Sequence, residues 1–206
     1  MRVTDEQILF LPGASGNRAM WRPIAERLSH AGAREFLGWP GFHDLPADPS
    51  VRGISDLVAR VVARIDRPTC LCAQSMGGVI AIRAALEKPS LVRSLVLAVT
   101  SGGIDVAALG GVDWRPTFQA ANPHLPSWFL EERADLAPRL AQIRVPVLLL
   151  FGDADPISPV RVGERLCELL PNAELVVISS GTHDLIVERA AEVAPYIERH
   201  LAQIGA

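Results

Sequence analysis

Lysine is almost absent from this chain, and its scarcity bears on which kinds of molecule the protein can bind. Lysine and arginine together number 20 of 206 residues, and Lys88 is the only lysine. Aspartate and glutamate number 23, which gives a formal net charge of −3, and no stretch of the sequence forms a basic stripe. Nucleic-acid binding needs a concentrated positive surface, so a nucleic-acid partner is not expected.

Cysteine is also scarce, and the three cysteines do not form the evenly paired set of a disulfide framework. Cys70 and Cys72 lie two apart in one predicted strand, and Cys167 falls in a predicted helix. Two-residue spacing without a histidine cluster does not suit zinc. We therefore expect a reduced, cytoplasmic protein with no metal and no other cofactor.

Long hydrophobic runs are missing too. No apolar stretch approaches the length needed to span a bilayer, and residues 1–7 lack the charged-then-apolar pattern of a secretion signal. No membrane association is expected. Hydrophobic residues nevertheless make up 49% of the chain, which is enough for a buried core. With no repeat or linker in the sequence, we expect one domain over residues 1–206.

Short, continuously apolar runs predict buried strands, and amphipathic stretches between them predict helices. The strand runs are 8–11, 69–73, 95–99 and 145–151, with weaker candidates at 34–37 and 174–178. The helical stretches are 19–30, 54–65, 76–87, 161–170 and 190–202. Continuous apolar strands that alternate with helices favour a mostly parallel sheet of about six strands with helices on both faces, an α/β fold.

One region departs from this alternation. Residues of about 101–140 contain glycine pairs, several prolines and four large aromatic residues, and they are too many for a simple connection. We interpret this segment as a short helical cap inserted into the domain. The alternative is an irregular surface insertion whose aromatic side chains only pack on the domain.

The stretch from Ala73 to Gly78 carries the strongest indication of chemistry. Ser75 lies between a predicted strand and a predicted helix, with small residues two positions before and after it. A serine at such a sharp turn is exposed at the sheet edge and at the positive end of the helix. A helix N-cap is the plainer alternative for Ser75.

The ends of the other strands supply partners for this serine. An aspartate pair, Asp153 and Asp155, follows the fifth predicted strand, and His183 follows the last. Serine needs a base, and histidine needs a carboxylate to fix its tautomer. A developing oxyanion also needs two backbone donors, which we assign to the amides of Met76 and Ala14.

These motifs resemble the α/β-hydrolase-fold serine hydrolases over nearly the whole chain, as a small, short-capped esterase-like member. The similar segments are 11–21, the elbow at Ser75, 143–159 and 181–184. The resemblance implies a Ser75, Asp155 and His183 triad, because the acid of the family lies three residues after a glycine. It also implies that the chain begins at what is usually the third strand, an N-terminally truncated version of the fold.

Several positions depart from the family pattern or remain open. Pro12 stands where a histidine is usual, Ala73 replaces the first elbow glycine, and His43 stands where glycine is usual. His43 is an alternative base to His183, and Asp153 an alternative acid to Asp155. The glycines of the loop 13–16 resemble a phosphate loop only weakly, since no lysine follows them.

These residues predict an enzyme, a serine esterase that cleaves a small ester or thioester through an acyl-enzyme, with preference for short acyl groups. Its expected partner is a small-molecule acyl substrate. The sequence gives no indication of oligomeric state. The residues expected to bind substrate are Gln74, Trp39, Phe42, His43, Trp114, Trp128, Ile157 and Leu185. Two alternatives stay open. The first is a lyase or carbon–carbon bond-cleaving enzyme similar to the menaquinone-pathway synthases, which Arg18 and Arg115 weakly favour. The second is a non-catalytic small-molecule receptor.

Overall fold

A computed structural model describes residues 6–131, 133 and 135–203. Residues 1–5, on which most of the expectation about a secretion signal rests, lie outside the described residues. Six strands form one sheet: β1 (Gln7–Leu11), β2 (Ala33–Phe36), β3 (Thr69–Gln74), β4 (Val92–Ala98), β5 (Val147–Gly152) and β6 (Ala173–Ile178). Every neighbouring pair is parallel, and the spatial order is β2-β1-β3-β4-β5-β6. The predicted fold class is confirmed.

Helices cover both faces of this sheet. They are α1 (Arg22–Ala25), α2 (Ile54–Arg64), α3 (Met76–Glu87), α4 (Arg115–Ala121), α5 (Trp128–Glu131), α6 (Ala137–Leu140), α7 (Val160–Leu169), α8 (Leu185–Glu188) and α9 (Ala190–Ala202). Within the described residues, no helix is long and apolar enough to cross a membrane.

The central strands are largely apolar because they contribute to two cores, whereas the edge strands β2 and β6 are more exposed and carry charged residues. On β1, Leu9 and Leu11 join the core that includes α2, α3 and α7, whereas Ile8 and Phe10 join the core that includes α1, α8 and α9. Successive side chains of a strand point to opposite faces, so a sheet with helices on both sides needs apolar residues at every position.

The strand order places a crevice at the carboxyl ends of β1 and β3. From β1 the chain goes to one side to form β2, and it then returns to form β3 on the other side of β1. The connections after β1 and β3 therefore lead to opposite faces of the sheet. Open parallel sheets bind ligands at such a switch point.

The helix predicted over 19–30 buries an apolar face as expected, but it is shorter than predicted. Only α1 is α-helical there, because side chains from elsewhere take the backbone groups that a longer helix would use. The guanidinium of Arg34 donates to the carbonyl of Ala25 at 2.5 Å, and the amide of Ser29 donates to Glu198 at 2.9 Å.

The segment between β4 and β5 holds α4, α5 and α6, within the predicted cap; residues 132 and 134 lie outside the described residues. An aromatic cluster, here called the cap cluster, attaches it to the loop after β2. Phe129 is buried at its centre, with its ring 5.1 Å from that of Phe42. The cluster consists of Phe42, Trp114, Phe118, Trp128 and Phe129.

Candidate active site

Ser75 occupies a strained turn between β3 and α3. Its backbone has φ 51° and ψ −120°, a conformation that costs a residue with a side chain roughly 1–3 kcal/mol. Two hydrogen bonds hold it there: the Ser75 amide donates to the carbonyl of Ala98 at 2.9 Å, and the Thr100 hydroxyl donates to the carbonyl of Ser75 at 2.7 Å. The neighbouring strand thus supports the strain at the turn.

The two glycines after the turn are required by close approach. A Cβ on Gly77 would lie 2.5 Å from the carbonyl oxygen of Pro12, and one on Gly78 would lie 2.3 Å from the hydroxyl oxygen of Thr100. Both distances are shorter than a real Cβ contact. The absence of these side chains lets α3 begin directly against the loop that follows β1.

The structure brings Ser75, His183 and Asp155 together in a hydrogen-bonded chain. The Nε2 atom of His183 lies 2.9 Å from the Ser75 hydroxyl, and its Nδ1 atom lies 2.7 Å from Oδ2 of Asp155. The Asp155 side chain is fully buried, and that of His183 is 20% exposed. The serine is therefore within reach of a base that a buried carboxylate orients.

Asp155 is fixed by its own loop, and this fixes the tautomer of His183. Its other oxygen, Oδ1, accepts hydrogen bonds from the amides of Ile157 at 2.8 Å and Ser158 at 3.2 Å. An ionised carboxylate only accepts hydrogen bonds, so Nδ1 of His183 carries the proton. Nε2 is then left to accept the proton of Ser75, as a general base must.

The alternative acid and base lie elsewhere. Asp153 is exposed, and its Oδ1 accepts from the amide of Ser180 at 2.5 Å. His43 is exposed in the loop after β2, where its Nδ1 lies 3.2 Å from a carboxylate oxygen of Asp44. Among the described contacts, Asp153 makes no hydrogen bond to His183 and His43 makes none to Ser75, so the geometry favours Asp155 and His183.

The two backbone amides that the sequence assigns to an oxyanion hole lie in segments next to Ser75. Met76 follows the nucleophile at the N-terminus of α3, and Ala14 lies in the adjacent loop after β1. A Cβ on Gly13, the residue before Ala14, would lie 3.1 Å from Cβ of Ser75, so this loop touches the nucleophile. Among the described residues, neither amide donates to another protein group. Both are thus available to a substrate.

A cavity of about 880 Å³ adjoins Ser75. Of the residues expected to bind substrate, Trp114 and Ile157 line it, and Met76 lies on its wall as well. Further lining residues that the sequence did not indicate include Ile54, Val79 and Ile104. Only their positions in the folded chain identify them, because a sequence of apolar residues does not distinguish a cavity wall from a core.

The other six residues expected to bind substrate do not line this cavity. Trp39, Phe42 and Leu185 are buried and Trp128 is partly buried within the protein, and His43 faces solvent away from the cavity. Gln74 is buried next to Ser75, where its Nε2 donates to the backbone carbonyl of His183 at 3.1 Å. This hydrogen bond supports the loop that carries His183.

Charged residues of both signs are among those that line the cavity. Arg115 stacks over Trp114 and donates to the carbonyl of Leu130 at 3.0 Å and to Asp113 at 3.2 Å. Arg18, by contrast, forms an ion pair with Asp44 at 2.7 Å outside this cavity. Of the two arginines that the sequence indicated, only Arg115 is therefore near the site.

Side chains that could ligate a metal are dispersed in the described part of the chain. There, no three histidine, cysteine, aspartate or glutamate residues converge as a metal site would require. The buried thiols are also unreactive, since burial raises the pKa of Cys70 to about 11 and that of Cys72 well above its usual value.

A strained serine, an oriented histidine, a buried aspartate and two free amides on an α/β sheet define a serine hydrolase. Comparison with known proteins agrees. Residues 8–111, just over half of the chain, match the family model described as "Alpha/beta hydrolase family", and residues 117–190 match "alpha/beta hydrolase fold". The chain belongs to the alpha/beta hydrolase family, and it is an enzyme of the esterase type.

The relatives are esterases. A pimeloyl-[acyl-carrier protein] methyl ester esterase of Neisseria meningitidis serogroup C is 28% identical over 92% of this chain and 91% of its own. One from Aliivibrio salmonicida is 23% identical over 94% and 91%.

Solved structures share the fold. MenH from S. aureus has a TM-score of 0.77 at 19% identity, over 98% of this chain and 96% of its own. A thermophilic esterase from Thermogutta terrifontis has a TM-score of 0.76 at 19% identity, over 97% and 90%.

Proposed function

We propose that this protein hydrolyses the methyl ester of a medium-length acyl chain through an acyl-enzyme on Ser75. The hydrogen-bonded triad beside a largely apolar cavity carries this proposal. The methyl ester follows from the names of the relatives, which also suggest an acyl-carrier protein as the carrier of the substrate.

The chemistry follows from the arrangement of the triad. His183 takes the proton of Ser75 while the serine oxygen attacks the ester carbon, and the amides of Ala14 and Met76 receive the negative oxygen. His183 then gives that proton to the departing methoxide, which leaves as methanol. Water repeats the sequence on the acyl-enzyme, releasing the carboxylic acid and restoring Ser75.

The size of the cavity bears on the length of the acyl chain. The short predicted cap favoured short acyl groups, but about 880 Å³ lies near the upper end of the volumes of small-molecule sites, about 300–1,000 Å³. A short acyl group would leave most of this space unfilled, including its apolar part. Rates should therefore rise from acetyl to chains of medium length, as each added methylene is buried.

A panel of methyl esters tests the proposal. The panel should include monomethyl esters of dicarboxylic acids, and kcat/KM should rise from acetate to medium-length chains and vanish in Ser75→Ala. A fluorophosphonate probe should label Ser75, and His183→Ala should abolish the labelling. Labelling without hydrolysis of any methyl ester would refute the substrate class. A folded protein that is neither labelled nor active would indicate non-acylating chemistry or a receptor.

A further inference from the structure

Trp39 is a buried tryptophan with a polar contact next to the site. It lies in the loop after β2, is 2% exposed, and does not line the cavity beside Ser75. Its indole Nε1 donates a hydrogen bond to the carbonyl oxygen of Gly13 at 3.0 Å. The side chain therefore acts on the loop that follows β1.

The Gly13 carbonyl and the Ala14 amide belong to one peptide group. None of the described peptide bonds is cis, and in a planar trans peptide the C=O and N–H bonds point in opposite directions. Whatever fixes the direction of the carbonyl therefore fixes the direction of the Ala14 N–H. Trp39 holds the carbonyl on one side, so the N–H points to the other.

Two further contacts restrict this peptide group. The amide of Gly16 donates to the same Gly13 carbonyl at 3.1 Å. Gln74 and Ser75 lie close against Gly13, since a Cβ on Gly13 would lie 2.1 Å from Oε1 of Gln74 and 3.1 Å from Cβ of Ser75. The peptide group is thus held between the indole of Trp39 and the nucleophile turn.

We propose that Trp39 is a positioning residue for the oxyanion hole, acting through the Gly13–Ala14 peptide. Its hydrogen bond aims the Ala14 N–H at the position where the oxyanion forms. A carbonyl that accepts a hydrogen bond also makes the N–H of its peptide a stronger donor. The inference rests on the acyl-transfer chemistry proposed above, and it concerns only the transition state.

The chain offers a matched control in Trp21. This tryptophan is also fully buried, and its Nε1 donates to the carbonyl of Leu11 at 3.0 Å, in the same loop region. The peptide group of Leu11 continues into Pro12, which has no N–H. Trp21→Phe thus removes the same type of hydrogen bond without disturbing a donor to the oxyanion.

The test compares Trp39→Phe with Trp21→Phe, using p-nitrophenyl butyrate as substrate and an alkyl boronic acid as inhibitor. Complete loss of an oxyanion donor lowers kcat about 10²–10³-fold, and Trp39 only orients one, so we expect a loss of roughly 10-fold in Trp39→Phe. KM and the pH profile should not change, and the inhibition constant of the boronate, which mimics the oxyanion, should rise by the same factor. Trp21→Phe should keep kcat and the boronate constant within about twofold.

Equal losses in both variants, or wild-type kcat in Trp39→Phe, would overturn the inference. If Trp39→Phe does not fold, β-(3-benzothienyl)alanine at position 39 keeps the shape of indole and lacks its N–H, and the same expectations apply. Ester hydrolysis and Ser75 labelling in the wild-type protein test the proposed function separately. A failure of the Trp39 inference would therefore leave both results unchanged.

Discussion

Gly152→Ala should disable the enzyme by separating the acid from the base. Gly152 ends β5 three residues before Asp155, and it lies against Gly181, two residues before His183. A Cβ on Gly152 would lie 2.0 Å from the carbonyl oxygen of Gly181 and 2.3 Å from its carbonyl carbon. These are backbone atoms, so no side-chain rotation relieves the contact.

The size of the effect follows from this distance. Opening the contact from 2.0 Å to even 3.0 Å moves the two loops apart by about 1 Å. The bond between Asp155 and His183, now 2.7 Å, would then exceed the hydrogen-bonding range. A displacement of about 1 Å in a catalytic group costs on the order of 10²-fold in rate, and the added methyl group destabilises the fold by about 1–3 kcal/mol.

The assay is kcat on p-nitrophenyl butyrate, with circular dichroism to show that the variant folds. Gly53→Ala is the matched control, because a Cβ there has no neighbour within 4 Å. The kcat of Gly181→Ala should lie between those of Gly152→Ala and Gly53→Ala, since the closest contacts of a Cβ on Gly181 are at 3.0 Å. A folded Gly152→Ala protein with wild-type kcat would refute the view that this contact sets the acid–base distance.

Three other changes have definite expected outcomes. Asp155→Asn should keep the fold but lower kcat by about 10³–10⁴-fold at neutral pH, because the amide no longer holds the correct histidine tautomer; a loss below tenfold would argue against this role. Burial lowers the pKa of His200, so the folded protein resists protonation of this residue. The unfolded chain takes up the proton below about pH 6.5, and the free energy of unfolding should therefore fall as the pH drops below that value. Denaturant midpoints at pH 7.5 and 5.5 should therefore differ less in His200→Leu than in the wild type. Phe129→Ala removes the buried centre of the cap cluster and should lower the free energy of unfolding by about 3–5 kcal/mol. Limited proteolysis should then cut first within residues 101–140, and fluorophosphonate labelling of Ser75 should stay intact.

The sheet and the candidate triad could be predicted because they depend on patterns within short segments. Continuous apolar runs indicate strands buried on both faces, and the bounds predicted for α3 and α9 are those that the structure shows. The carboxyl ends of parallel strands meet at one edge, so Ser75, Asp155 and His183 could be associated without knowledge of any contact.

The cavity wall could not be predicted in the same way. Trp39 and Phe42 follow the carboxyl end of β2, and Gln74 directly precedes Ser75, but their side chains turn into the protein, where they hold backbone or pack on the cap. Residue type does not specify such an orientation. The shortened helix at 19–30 has a similar cause, since Arg34 and Glu198, both outside it, take its backbone partners.

The contacts that hold the triad and the residues that line the cavity come from different parts of the chain. Contacts at the sheet edge hold the triad and the oxyanion loop: Thr100 with Ser75, Gln74 with His183, and Trp39 with Gly13. The cavity wall, in contrast, comes largely from residues 101–115 and from residues near Ile157. A change in the cap therefore alters the shape of the cavity without moving the nucleophile. Because acyl transfer needs only the first set, relatives with different caps can share one mechanism, and the substrate of this protein is to be sought in the residues that line its cavity.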